Sequence, residues 1–218
     1  MLRIVIGVAL ATILMSSIVA LRPGSAKLPN ESERRFLSLD PSTAVQADTH
    51  RVLQTSIVTK DVVFDRNTGK FYASVPSRAG AMGNSIARID PVTGNVEGFV
   101  FVGSEPGKLA LSDDGHTLYV SLDGAAAIRR FDLTTQTAGA QFSLVEENFD
   151  GPFFVKDLAV APGNPDVVAV SRKVLNISPD FKGVAIYDHG VKRPLTTPVH
   201  TGSDFISFSS SAALRFFN

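Results

Sequence analysis

The segment LALSDDGHTLYVSL, residues 109–122, decides the fold because its pattern recurs along the chain. It contains an apolar strand, a turn rich in Asp and Gly, and a second apolar strand, which together predict a β-hairpin. Three other segments align with it without a gap: VVFDRNTGKFYASV (62–75), LAVAPGNPDVVAVS (158–171) and ISFSSSAALRFFN (206–218). The alignment also brings Tyr72, Tyr119, Val168 and Phe216 into register. Successive copies are 47, 49 and 48 residues apart, so the chain is built from repeats of one unit.

Two further strands follow each complete hairpin. The third strands are SIARID (85–90), AIRRFD (127–132) and GVAIYD (183–188), and each ends in an Asp whose carboxylate can accept a hydrogen bond from the backbone two residues later. The fourth strands are NVEGFVFV (95–102), AGAQFSLV (138–145) and a version that contains Pro194 and Pro198. Because proline cannot donate to a ladder, we predict that the fourth strand lies at the sheet edge.

Four antiparallel strands in a unit of about 48 residues are typical of a β-propeller blade. The predicted fold class is therefore all-β, with about three and a half four-stranded blades and an incomplete ring. The predicted blades span about 61–107, 108–154, 155–204 and 205–218 within a partial propeller of residues 51–218, and the first strand of each lies innermost. Residues 51–58 are predicted to form an outer strand ahead of the first blade. Because propellers have four to eight blades, we expect a truncated chain, with further blades or modules C-terminal and apolar blade faces left exposed.

The N-terminal residues have the layout of a signal peptide. Arg3 precedes an apolar run from Ile4 to Leu21, and the sequence Pro-Gly-Ser-Ala follows at 23–26. The small residues predict cleavage after Ala26, with a weaker second site after Ala20, and the length of the run leaves an uncleaved membrane anchor as the alternative. Residues 27–50 are predicted to be a linker. We expect a secreted, periplasmic or cell-surface protein that meets the membrane only through this N-terminal segment.

Composition narrows the function classes. Lys+Arg and Asp+Glu are both 21, so no net charge favours nucleic acid, and the absence of Cys excludes disulfides and thiolate sites. The four histidines are scattered, and the chain has no G-x-S-x-G motif and no phosphate-binding loop. Asp113-Asp114-Gly115 lacks the further carboxylates of a calcium loop, so a hairpin turn explains it better. The sequence therefore predicts no catalytic residue, no metal site and no cofactor.

Candidate ligand-binding residues lie in the loops that join strand two to strand three and strand four to the next blade. These loops share one end of the blades, here called the loop rim, and irregular loops on a rigid scaffold often carry function. The partner would be an unknown protein or a small polar ligand. The alternative interpretation is that phenylalanines of 149–154 fill the groove between blades and that the charges are solvated. The candidates are Arg78, Asn84, Glu105, Glu146, Asp150, Phe153, Arg172 and Lys173.

The segments VGSEPGKLALSDDG (102–115) and LYVSLDGAAAIRRFDLTT (118–135) resemble the YVTN-type β-propeller repeat of secreted bacterial proteins. The shared order is a small-residue loop, an L-A-x-S-x-D-G hairpin, an L-Y-V strand and an I-x-x-x-D strand, and the resemblance extends over 51–218. The third blade departs from it with Pro162-Gly163-Asn164, and the fourth with SSSAA. The resemblance implies a WD-like propeller at the start of a larger exported protein that continues into further modules.

The predicted function is an exported, non-catalytic scaffold for ligand or protein binding. One alternative is a propeller enzyme of the lactonase or quinoprotein type whose active-site residues lie largely in further blades. Another is a structural repeat of a surface adhesin. Acidic and His residues converging on the axial ends of the inner strands in a longer reading frame would favour the enzyme.

Overall fold

The computed structural model describes residues 52–146, 151–210 and 213–217, with the backbone alone from residue 210 onward. The predicted signal peptide (1–26), the predicted linker (27–50) and Asp150 lie outside these ranges. The described chain forms three four-stranded antiparallel sheets and one two-stranded sheet, and the sheets do not close into a ring. The predicted fold class, an incomplete β-propeller with three and a half blades, is confirmed.

Each blade is a meander of four strands. The first blade contains β1 (Asp61–Asp65), β2 (Lys70–Val75), β3 (Ser85–Ile89) and β4 (Val96–Phe101). The second contains β5 (Pro106–Leu111), β6 (Thr117–Leu122), β7 (Ala127–Asp132) and β8 (Thr137–Ser143). The third contains β9 (Phe154–Ala161), β10 (Asn164–Lys173), β11 (Phe181–Asp188) and β12 (Val191–Thr196). The half blade contains β13 (Phe205–Ser210) and β14 (Ala213–Phe217).

The first strands are innermost, as predicted. Strands β1, β5, β9 and β13 contact one another in succession, and each lies at one end of its sheet. The fourth strand occupies the opposite edge, where β12 contains Pro194. The prediction that proline marks an edge strand is confirmed.

The segment ahead of the first blade differs from the prediction. Residues 52–59 form no strand, whereas an outer strand was predicted at 51–58. A strand needs a ladder partner, and none of the described strands pairs with this segment. Its Ile57 is instead buried against Ala73, Val75 and Ile89 of the first blade.

Apolar side chains hold the blades together. The cluster between the first and second blades includes Tyr72, Ile86, Leu109, Leu118 and Phe131, and the cluster between the second and third includes Tyr119, Ile128, Phe153, Leu158 and Tyr187. Successive strand residues point to opposite faces, so each inner strand supplies side chains to both of its neighbours. Full burial of one such side chain stabilises the fold by about 1.5–3 kcal/mol.

Two carboxylates join neighbouring inner strands. Asp61 Oδ2 accepts the backbone N–H of Leu109 at 2.9 Å, and Asp157 Oδ2 accepts that of Ile206 at 2.8 Å. These N–H groups lie on the axial edge of β5 and β13, where none of the strands that the structure describes pairs with them. Each carboxylate therefore satisfies a donor of the next blade that would otherwise lack a partner.

In the third blade, the alignment without gaps is wrong by one residue. Tyr72 pairs with Val63 and Tyr119 with Ala110, but the equivalent inner residue Ala159 pairs with Ala169, not with Val168. Pro162-Gly163 makes a tighter turn than those of the first two blades, and an irregular stretch of β10 follows it before the ladder resumes at Val168. The third hairpin therefore has one additional residue, and its second strand is displaced by one position.

The turns that follow the third strands conform to the prediction in two blades. Asp90 Oδ1 accepts the N–H of Val92 at 2.8 Å, and Asp132 Oδ1 accepts that of Thr134 at 2.8 Å. Asp188 differs, because its carboxylate contacts His189 and Arg193. The Asp114 turn is also as predicted, since Asp114 Oδ1 accepts the His116 N–H at 2.9 Å.

Candidate functional site

The loop rim carries one polar group between the first and second blades. Asn84 Oδ1 accepts the backbone N–H of Glu105 at 2.9 Å, and the Glu105 carboxylate pairs with Lys60 at 3.2 Å. Glu105 also accepts hydrogen bonds from the backbone and the hydroxyl of Ser77, and the hydroxyl in particular lowers the pKa of Glu105. The structure therefore brings Asn84 and Glu105 together, and both have partners within the chain.

A second group lies between the second and third blades. Arg172 donates to Glu146 Oε1 at 2.5 Å and to the Lys182 carbonyl at 2.9 Å, and its guanidinium lies 4.5 Å from the centre of the Phe153 ring. Lys192 pairs with the other Glu146 oxygen at 2.8 Å. Phe153 is fully buried in the cluster between the blades. The alternative interpretation, that a phenylalanine of this loop fills the groove, therefore holds for Phe153.

The remaining candidates are separate from these two groups. Arg78 is exposed in the 3₁₀ segment Ser77–Met82, and it has no hydrogen bond or ion pair with another described residue. Lys173 is the last residue of β10 and pairs through its backbone with Phe154 and Phe181. Asp150 is not described.

The sequence did not predict a third polar group on the same rim. Lys156 pairs with Asp180 at 3.1 Å and Asp204 at 3.2 Å, and its ammonium lies 3.9 Å from the centre of the Phe181 ring. Burial lowers the pKa of Lys156, but the two carboxylates outweigh it and the pKa is raised. Polar groups therefore occur at all three blade junctions.

Cavities also occur at all three junctions, and two of them lie at the end opposite the loop rim. This hairpin rim comprises the turns that join strand one to two and strand three to four. The cavity between the first and second blades has about 790 Å³, and that between the second and third has about 300 Å³. A third, of about 440 Å³, lies beside Phe208 between the third blade and the half blade. Sequence reasoning placed the site on the loop rim because its loops are longer, and so it missed these cavities.

The first cavity has a polar lining. Tyr72 is buried, and its hydroxyl oxygen accepts a hydrogen bond from Gln136 Nε2 at 3.0 Å. Arg88 Nε lies 2.8 Å from Glu97 Oε2, and Lys70 lies 2.6 Å from the other oxygen of Glu97. Lys70 is also 2.6 Å from Asp90, and its ammonium is the main cause of the lowered pKa values of Asp90 and Glu97.

The second cavity occupies the equivalent place one blade later. Tyr119 and Arg130 stand where Tyr72 and Arg88 stand in the first, because both pairs are cross-strand partners at matching positions. The Tyr119 hydroxyl donates to the Pro165 carbonyl at 2.9 Å, and Arg130 pairs with Asp166. A sequence signal for these residues exists: in SIARID and AIRRFD an Arg stands two residues before the final Asp.

The described residues contain neither a cluster of metal ligands nor a membrane-spanning helix. Within 52–146, 151–210 and 213–217, no three His, Cys, Asp or Glu side chains are grouped as metal ligands would be. In the same part of the chain, no helix has the length and apolarity needed to cross a bilayer.

Comparison with known proteins identifies the fold. No protein-family model and no curated protein matches the sequence. The chain is similar to the hydrazine synthase of Kuenenia stuttgartiensis, with a TM-score of 0.54 and 16% identity over 76% of this chain and 42% of that one. It is also similar to U3-55K, with a TM-score of 0.51 and 12% identity over 70% of this chain and 43% of that one. The chain thus spans less than half of each structure, and at this identity the similarity shows only that both share its β-propeller type of fold.

Proposed function

We propose that this protein is an exported, non-catalytic β-propeller scaffold that binds a polar ligand or another protein. The observation that carries the proposal is the repetition of a cavity at each of three blade junctions, with a different set of side chains in each. Concave sites with a few convergent polar groups are where proteins bind ligands.

The frame around these cavities is tied together at several points. Asp61 and Asp157 bond to the next inner strand, Asn67 Nδ2 donates to the Asp114 carbonyl at 3.0 Å, and the Gly163 N–H donates to Asp113 Oδ2 at 2.8 Å. A cleft between elements that are bonded in this way is largely formed before a ligand arrives. Preorganisation of this kind increases affinity because less conformational entropy is lost on binding.

A peptide selection tests the binding function. A phage-displayed library of random peptides is selected on the immobilised chain, with heat-unfolded chain as the control surface. We expect enriched peptides that protect backbone amides beside a blade junction in hydrogen–deuterium exchange. Enrichment that is equal on the unfolded chain, or protection confined to residues away from the junctions, would contradict the proposal.

We also propose that the repeats are of the YVTN type and that the chain is part of a larger secreted, periplasmic or cell-surface protein. The L-A-x-S-x-D-G hairpin at 109–115 and the signal-like residues 1–26 support this proposal. A fusion of the chain to alkaline phosphatase, which is active only after export, tests the localisation. We expect activity from the intact fusion and none after deletion of residues 4–21, and activity that persists after the deletion would argue against export by this segment.

A further inference from the structure

The first two junction cavities are built from equivalent residues but differ in what fills them. The Tyr and Arg of each cavity come from strands two and three of the earlier blade, and the first turn of the later blade faces them. The first cavity has about 790 Å³ and the second about 300 Å³. The larger one therefore has room for a group that the smaller one already contains.

In the second cavity, the chain itself supplies the acceptors. The Pro165 carbonyl accepts the Tyr119 O–H, and the Asp166 carboxylate accepts a hydrogen bond from Arg130. Both acceptors lie in the irregular stretch of β10 that carries the additional residue of the third hairpin. This longer hairpin therefore places a backbone carbonyl and the next residue's carboxylate against the Tyr and Arg.

In the first cavity, the matching donors lack these acceptors. The Tyr72 hydroxyl accepts from Gln136, and no described residue accepts its proton. Arg88 lies beside Glu97 with Nε 2.8 Å from Oε2, and no hydrogen bond joins its two terminal nitrogens to a described residue. The first hairpin turn of the second blade lacks the additional residue, and Asp114 in it already accepts from the Ser112 hydroxyl at 2.5 Å and from the His116 N–H at 2.9 Å.

We propose that the first cavity binds an aspartyl peptide segment of a partner, whose carbonyl and carboxylate occupy the positions that Pro165 and Asp166 occupy in the second. The carboxylate accepts from the terminal nitrogens of Arg88, and the carbonyl of the preceding residue accepts the Tyr72 O–H. This inference rests on the proposed binding function and names the chemistry of its ligand.

The carboxylates beside the cavity all have partners within the chain, since Asp90 and Glu97 pair with Lys70 and Asp114 accepts from Ser112 and His116. Lys70 pairs with both Glu97 and Asp90, and Glu97 also pairs with Arg88, so two cations balance these two carboxylates. The donors that would meet the ligand are therefore a guanidinium that retains free N–H groups and a buried hydroxyl. Hydrogen bonds to a charged partner are about twice as strong as neutral ones, so Arg88 should contribute the larger share of the affinity.

The test uses a peptide copied from the chain's own filled cavity. The probe is a fluorescein-labelled peptide with the sequence GNPDVV, which is residues 163–168, and the comparison peptide is GNPNVV. Fluorescence polarisation with the full chain should show saturable binding of the Asp peptide and binding that is weaker by about tenfold or more for the Asn peptide. Equal binding of the two peptides, or no saturable binding of either, would overturn the inference.

Variants assign the binding to the first cavity. We expect Arg88→Gln to weaken binding of GNPDVV about tenfold or more and Tyr72→Phe to weaken it about threefold. Arg129→Gln and Tyr119→Phe are the matched controls, because Arg129 is a half-buried neighbour outside the cavity and Tyr119 belongs to the filled one. Both variants should bind as the unchanged chain does. If Arg88→Gln bound GNPDVV as the unchanged chain does and had an unaltered circular dichroism spectrum, the proposal would be contradicted.

A competition experiment with a small aspartate derivative distinguishes binding of a peptide segment from binding of any free carboxylate. N-acetylaspartate amide, added as a competitor, should displace the labelled peptide only at much higher concentration, because it lacks the flanking peptide. If N-acetylaspartate amide and unlabelled GNPDVV displaced the labelled peptide at equal concentrations, the assignment to a peptide segment would be overturned. If peptides selected from the random library bind and GNPDVV does not, this inference fails while the proposed function stands.

Discussion

At the scale of single residues, Asp61 supplies a hydrogen-bond acceptor to a backbone N–H of the second blade that has no acceptor in its own sheet. The Leu109 N–H lies on the free edge of an inner strand, and Asp61 is its acceptor. A buried donor left without a partner costs about 1–3 kcal/mol. The side chain therefore acts at a distance of one whole repeat in sequence.

We predict that Asp61→Ala lowers the free energy of unfolding by about 1–3 kcal/mol, because it leaves the Leu109 N–H unsatisfied. Asp61→Asn should cost less, since its amide oxygen can still accept the bond. Urea denaturation followed by circular dichroism measures both. Asp204→Ala is the control, because an exposed ion pair contributes about 0–1 kcal/mol, and an Asp61→Ala chain as stable as this control would contradict the prediction.

The turn carboxylates predict a loss of stability in acid. The backbone N–H of Thr135 is the first of the groups that lower the pKa of Asp132. Because the folded pKa lies below the unfolded value, the stabilisation is present above the ordinary pKa of Asp and is lost as the pH falls through the folded pKa. We expect Asp132→Asn to flatten the dependence of the melting temperature on pH below about 4.

Asp157 provides a comparison of opposite sign. Burial raises the pKa of Asp157, so its favourable contribution is present below the unfolded pKa and lost as the pH rises through the folded pKa. The difference between the melting temperatures of Asp157→Asn and the unchanged chain should therefore shift in favour of the variant as the pH rises above about 4. If Asp132→Asn and Asp157→Asn changed the pH dependence of the melting temperature in the same direction, the opposite signs of the two pKa shifts would be contradicted.

At the scale of elements, Glu146 at the end of the second blade is joined to the third blade by ion pairs with Arg172 and Lys192. The Arg172 side chain is 5% exposed and pairs with Glu146, which is 26% exposed. Removing one partner of a buried pair leaves a charge without compensation, which is more harmful than removing both. Arg172 also stacks on Phe153, so the pair belongs to the packing between two blades.

We predict that Glu146→Gln destabilises the chain by about 3 kcal/mol, because Arg172 remains buried with its main partner neutralised. The double variant Glu146→Gln with Arg172→Met should be more stable than Glu146→Gln alone. Chemical denaturation of both variants and of Arg172→Met completes a double-mutant cycle. A double variant that loses the sum of the two single effects would show that the pair is not coupled.

The elements also show where the sequence was informative. The spacing of the hairpins gave the strands and their order, because a strand and its turn are decided by neighbouring residues. It did not reveal the one-residue displacement at Val168, since Pro162-Gly163 moves the turn and an irregular stretch then absorbs the difference. Contacts such as Tyr119 with Pro165 depend on how one blade lies against the next, and no local pattern encodes that.

The same distinction applies to the candidate site. Glu146, Phe153 and Arg172 were predicted on one rim with the other candidates, and the structure places these three in contact. Tyr72, Arg88 and Gln136 were missed because loop length directed attention to the other rim. Their common feature, a Tyr and an Arg opposite each other on neighbouring strands, becomes visible only once the strands are paired.

At the scale of the whole molecule, the unclosed ring leaves two blade faces without a blade against them. Phe64, on the first blade's outward face, is 45% exposed, and Phe205, on the half blade, is 66% exposed. Among the described residues no further sheet covers either face. Apolar surface of this kind favours association.

We predict that the chain self-associates, because contact between two such faces buries the apolar side chains. Light scattering after size-exclusion chromatography should give a mass that rises with concentration, and Phe205→Ser should reduce the association. Leu195→Ser is the control, since Leu195 is 86% exposed on the edge strand β12 rather than on an uncovered face. A chain that stays monomeric at all concentrations and melts cooperatively would contradict the prediction.

The two hydrogen bonds between inner strands have the same direction along the chain. In both cases the acceptor lies on the earlier blade and the donor on the later one, at Asp61 with Leu109 and at Asp157 with Ile206. As the polypeptide leaves the ribosome, the first and the third blade therefore each present a group that can orient the blade after it. Assembly of the stack can proceed from the N-terminus by addition, one unit at a time, without waiting for the final repeat to be synthesised.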